Sequence, residues 1–110
     1  MVELRSIPMV TVSTVHITPD ELARINEIFL CEGDAAAERS YIDVCHNGIH
    51  MSPKWCGFIA RIPSDEFWPA VEPGLTPEMR AIMLAARAQG AVRVDFDCDE
   101  DPVDLPTFEH

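Results

Sequence analysis

Asp95, Asp97 and Asp99 recur at every second position, and Glu100, Asp101 and Asp104 follow closely. If the run begins as a β-strand, alternation sends the three aspartates to one face, about 6.6 to 7 Å apart by the strand rise. Such a row can imitate the phosphates of a nucleic-acid strand and fill a groove lined with lysine and arginine. It can hold calcium or magnesium, although no glycine follows Asp99 at the turn and no glutamate closes a calcium loop. It can also merely solvate a surface, the commonest role of a charge run.

A second group is Cys45, His46, His50 and Cys56, four zinc-type ligands within twelve residues. Structural zinc sites usually pair ligands through short knuckles such as Cys-x-x-Cys, which are absent here. Cys45 and His46 would also point to opposite faces of a strand. The default reading is therefore core thiols and surface imidazoles. A cysteine nucleophile would need Cys45 or Cys56 beside His16, His46 or His50, and no signature supports that chemistry. Trp55, Phe67 and Trp68 lie around proline-bounded loops, where they can anchor a partner or, more commonly in a small domain, close a layer of the core.

The elements that position these groups follow from local patterns. Met9 to Ile17 is rich in β-branched residues and reads as a strand. Thr18-Pro19-Asp20-Glu21 starts a helix over 19–31, with Leu22, Ile25, Ile28 and Phe29 as its apolar stripe and Gly33 as a stop. Tyr41 to His46 and Trp55 to Ile62 are β-like and are expected to pair as a hairpin. Asn47-Gly48 marks a tight turn, and Ile49 to Lys54 either extends the first strand or forms a longer loop around Pro53. Ser64 to Trp68 can form one helical turn. Thr76-Pro77-Glu78 starts a second long helix over 77–89, with Met79, Ile82, Met83 and Ala86 inward and Gly90 beyond its end. Val92, Val94 and Phe96 then alternate with charged residues, so the acidic strand has one buried face.

The order β-α-β-β-α-β predicts an α+β two-layer sandwich, ferredoxin-like as first choice, with a mainly antiparallel sheet and both helices on one face. At 110 residues the chain fits one compact domain, 1–110, ending in an acidic strand and tail over 94–110. The last seventeen residues hold seven carboxylates and no lysine or arginine. A net charge of −11 disfavours nucleic acid and anionic membranes as direct partners and favours a basic protein surface. With no apolar run of membrane length and no signal-like start, a cytoplasmic setting is expected, in which Cys31, Cys45, Cys56 and Cys98 stay reduced.

Ser13-Thr14-Val15-His16-Ile17-Thr18, Leu75 to Arg80, Ala85 to Gly90, Asp95-Phe96-Asp97 and Leu105 to Glu109 together resemble an uncharacterised bacterial family, the domain of unknown function numbered 5983. The resemblance implies a setting on plasmids, prophages and integrative elements, whose small accessory proteins often counter host defence by binding. The expected function is accordingly non-enzymatic and cofactor-free. It is an anti-CRISPR or antirestriction type of inhibitor whose Asp95, Asp97, Asp99, Glu100, Asp101 and Asp104 occupy the basic nucleic-acid-binding surface of a host protein or ribonucleoprotein complex, with homodimerisation able to double that face. The alternatives are a zinc-binding regulatory protein using Cys45, His46, His50 and Cys56, or a purely structural domain.

Overall fold

Both long helices begin where a threonine hydroxyl takes up an unpaired helix amide. In the computed structural model, which describes residues 8–31 and 44–108, α1 spans Pro19–Cys31 and the Glu21 N–H donates to Thr18 Oγ1 at 3.3 Å. After a short helix α2 (Trp68–Val71), helix α3 spans Pro77–Ala88, and the Met79 N–H donates to Thr76 Oγ1 at 3.3 Å. Five strands complete the chain: β1 Met9–Ser13, β2 Val44–His46, β3 Ile49–Lys54, β4 Gly57–Arg61 and β5 Arg93–Asp97.

The strands form one sheet in the order β1-β5-β4-β3-β2, with β1 parallel to β5 and all other neighbours antiparallel. The register sorts the side chains cleanly. Val10, Val94, Ala60 and Met51 form one cross-strand row, and Val12, Phe96 and Phe58 form the next. These rows face the helices, where Ile25 of α1 and Met79, Ile82, Met83 and Ala86 of α3 complete a single core. Phe58 stacks on Phe96 with centroids 4.5 Å apart, and Phe29 of α1 lies 6.3 Å from Phe58. The protein is thus an α+β two-layer sandwich, mainly antiparallel, with both long helices on one face.

Three local expectations change. The described part of the first run, Val44–His46, does not pair with the Trp55–Ile62 run: Ile49–Lys54 is a strand between them, so two successive hairpins replace one. Asn47 and Gly48 (φ 52° and 85°) make the first turn as expected, and Trp55-Cys56 makes the second. Pro53 fits within β3 because the two-residue turn makes Lys54 and Gly57 the hydrogen-bonded pair and Pro53 with Phe58 the unbonded one. The missing N–H therefore faces away from β4, and among the described residues β2 pairs with β3 as far as Met51. The extra strand also alters the layout. β1 lies at the edge of a five-stranded sheet beside β5, whereas a ferredoxin-like arrangement would place it inside a four-stranded one. Finally, β1 stops at Ser13, whose hydroxyl accepts the Val15 N–H at 3.2 Å and opens a 3-10 turn over Thr14–His16. The expected strand residues 41–43 and the stop at Gly33 lie outside the described residues.

Candidate functional site

Alternation along β5 buries Val94 and Phe96 completely and places Asp95 and Asp97 on the sheet face opposite the helices. These two carboxylates are not a free ladder. Gly57 stands between Lys54 and Asp97 in the register, so the Lys54 side chain crosses β4 to reach β5. The ammonium pairs with both aspartates, reaching Asp97 Oδ2 at 3.0 Å. The Asp95 hydrogen bond, with Asp97 adding to it, raises the Lys54 pKa. Asp97 Oδ1 also accepts the Asp99 N–H at 2.9 Å. That amide, and then Lys54, hold the Asp97 carboxyl below its ordinary value.

Asp99 lies beyond the end of β5, in a turn. The strict three-aspartate face therefore becomes a pair on the strand that shares one lysine and a separate exposed segment carrying Asp99, Glu100, Asp101 and Asp104. This segment is fastened at both ends. At its start Cys98 is bonded to Cys56 of the β3–β4 turn, and the Cys98 N–H donates to the Cys56 carbonyl at 2.9 Å. The expectation of reduced thiols is corrected for Cys56 and Cys98, whereas Cys45 is free as expected. Residues 56 and 98 are opposed at the ends of β4 and β5 with Cα atoms 5.5 Å apart, a pairing that their sequence separation of 42 conceals.

At the far end of the segment, the buried His16 grips the backbone with both ring nitrogens. Nε2 accepts the Val103 N–H at 3.0 Å, which requires the proton on Nδ1, and Nδ1 donates to the Pro106 carbonyl at 2.9 Å. Leu105 packs against the core, and the Phe108 N–H donates to the Val15 carbonyl at 2.8 Å. Sequence reading considered His16 only as a catalytic partner. A histidine directly before the inward-facing Ile17 and two residues before a helix cap was the available hint of a buried structural role.

The zinc-type residues do not converge. Cys45 is exposed and stands opposite His50 on the face away from the helices, whereas His46 faces the core and Cys56 is in the disulfide. His46 Nε2 donates to Glu21 Oε2 at 3.1 Å, and the Thr76 hydroxyl donates to Glu21 Oε1 at 2.6 Å. This buried hub ties α1, β2 and the cap of α3 together. Burial pushes the Glu21 carboxyl up, but the hydrogen bonds from His46 and Thr76, aided by the charges of His46 and Arg24, leave it below its ordinary value. Among the described residues, Cys56, Cys98 and Asp99 bring three metal-type groups within 4.8 Å of one another. With both sulfurs bonded to each other, they offer a cation one carboxylate.

A model of the family of unknown function DUF5983, C-terminal domain, matches residues 9–110. The chain belongs to the DUF5983 family. No curated protein and no solved structure gives a match. The stretch matching the DUF5983 domain contains every group described above, from the His16 clamp through the Glu21 hub to the acidic segment. The aromatic residues of this DUF5983 domain divide by role. Trp68 is buried beneath the Arg87 guanidinium, 4.5 Å from the ring centroid, and closes the core, whereas Trp55 is 92% exposed and Phe67 is also exposed. No helix among the described residues is long and apolar enough to cross a membrane.

Proposed function

We propose that this chain is a small acidic binding protein of a mobile genetic element. In this reading it inhibits a bacterial host defence system, anti-CRISPR or antirestriction in kind, by occupying a basic surface that otherwise grips nucleic acid. The observation that carries the reading is the anchored acidic segment. Asp99, Glu100, Asp101 and Asp104 are exposed, and no lysine or arginine among the described residues pairs with them. The His16 clamp and the hydrogen bond from the Cys98 N–H to the Cys56 carbonyl, which does not need the disulfide, meanwhile hold the backbone on either side. Fixing a charged segment before encounter reduces the ordering cost of binding. A net charge of −11 attracts a lysine- and arginine-rich partner from a distance. The mobile-element setting is supported by the family resemblance and the host-defence target by analogy with accessory proteins of that kind. The mechanism calls for no catalysis and no cofactor.

The structure changes which charges should be tested. Asp95 and Asp97 neutralise Lys54, so reversing them would disturb the sheet, and the informative variant is Asp99→Lys, Glu100→Lys, Asp101→Lys and Asp104→Lys together. Wild-type protein used as bait in a host-cell extract should retain a nucleic-acid-binding protein that added duplex DNA displaces. The fourfold variant should lose that protein while keeping its thermal midpoint. Equal retention by the variant, or no displacement by DNA, would reject the proposal.

A further inference from the structure

Trp55 occupies the tip of the β3–β4 turn with 92% of its surface exposed, an unusual position for the largest apolar side chain in a chain that buries its other tryptophan. The tip is held firmly. Cys56, the next residue, has φ 59° and is bonded to Cys98, while a side chain at Gly57 (φ 154°) would run into the Phe96 carbonyl. Both neighbours of Trp55, Lys54 and Cys56, line a groove of about 580 Å³ whose apolar wall includes Leu22, Phe29 and Pro53. The disulfide places the start of the acidic segment at the same end of the sheet, with an Asp99 carboxylate oxygen within 4.8 Å of the Cys56 sulfur.

We infer that Trp55 is the anchor of a protein-binding surface, and that its partner presents an apolar stripe flanked by arginine or lysine. The inference rests on the reading that the acidic segment meets a basic surface, and it adds the contact that supplies most of the affinity. Interface energy concentrates in a few aromatic or arginine anchors surrounded by polar contacts that exclude water. A tryptophan on a fixed turn, with an Asp99 carboxylate near the adjacent Cys56 sulfur, matches that pattern at little entropic cost, because the disulfide and the close approach of Gly57 to Phe96 hold the turn. Charge complementarity selects the occupant. A second copy of this chain would bring one acidic segment against another, whereas a cationic partner would meet opposite charge at the rim.

The probe is a synthetic amphipathic helix carrying a leucine stripe flanked by arginines, compared with the same peptide bearing glutamine in place of leucine. Binding is read by Trp55 fluorescence, with the Trp55→Phe variant supplying the Trp68 background, and by calorimetry for variants without Trp55. The leucine–arginine helix should shift Trp55 emission to the blue and bind about tenfold or more tightly than the glutamine version. Trp55→Ala should remove that advantage without moving the thermal midpoint. If Trp55→Ala leaves the affinity unchanged while neutralising Asp99, Glu100, Asp101 and Asp104 abolishes it, the anchor is wrong and the acidic reading stands. If neutralising the four acids changes nothing, or neither peptide binds at low salt, both fail. Sedimentation showing a dimer that Trp55→Ala dissolves would place a second copy on this surface and overturn the inference.

Discussion

Glu21 illustrates how one side chain can be claimed by two structural demands. Its place three residues after Thr18 suits a capping box, in which the carboxylate turns back to the cap amide. Instead the carboxylate serves the core, accepting from His46 and Thr76 on two other elements. Its pKa lies below the ordinary 4.5, so its contribution to stability is complete above that value and is lost as pH falls through the lower, folded value. Glu21→Ala would leave the buried His46 N–H and the half-buried Thr76 hydroxyl without their acceptor. At about 1–3 kcal/mol for each buried unsatisfied group, a loss of about 3 kcal/mol at pH 7 is expected. Urea unfolding at pH 7 and pH 3 checks this: the gap between wild type and variant should shrink in acid. A gap independent of pH would show that the carboxylate's charge contributes nothing to the hub.

At the scale of elements, the β3–β4 hairpin depends on a residue with no side chain. Gly57 adopts φ 154° and lies so close to β5 that an added Cβ would collide with the Phe96 carbonyl. Gly57→Ala should therefore cost about 3 kcal/mol or more through backbone strain and displacement of β5. Gly74→Ala, where an added Cβ meets nothing within 4 Å, serves as the control and should stay near wild type in a thermal melt. Equal midpoints for the two variants would mean that the turn rearranges freely. The hairpin also shows where sequence was and was not readable. Threonine–proline–acid starts located both long helices, the Asn47-Gly48 turn was plain, and the alternation of Val94 and Phe96 fixed the faces of β5, because each signal is local. β3 was obscured because Pro53 argues against a strand unless its N–H is known to face away from the neighbour. The exposed acidic residues beyond β5 were legible as charge. Their fastening was not, because it depends on contacts from His16 and Cys56 that are distant in sequence.

For the molecule as a whole, the disulfide is the covalent link between the middle of the sheet and the acidic segment. The core already brings β4 and β5 into register through the Phe58–Phe96 stack, so residues 56 and 98 are opposed by packing as well as by the bond. What the bond adds is a restriction of the unfolded chain over a separation of 42 residues. The loop-entropy estimate for that length is about 4 kcal/mol, a ceiling that engineered and native bridges often fall below. The Cys56→Ser, Cys98→Ser double variant should accordingly unfold about 2–4 kcal/mol more easily in urea, a denaturant without charge, than the oxidised wild type. Adding reductant should bring the wild type to the variant's midpoint and leave the variant unmoved. Net charge of −11 opposes compaction in both forms, so raising salt should move both midpoints in the same direction and leave their difference nearly constant. A difference that vanished with salt would assign the effect to charge repulsion around Asp99 and Glu100. One that persisted would assign it to the bond, and with it the fixed start of the acidic segment.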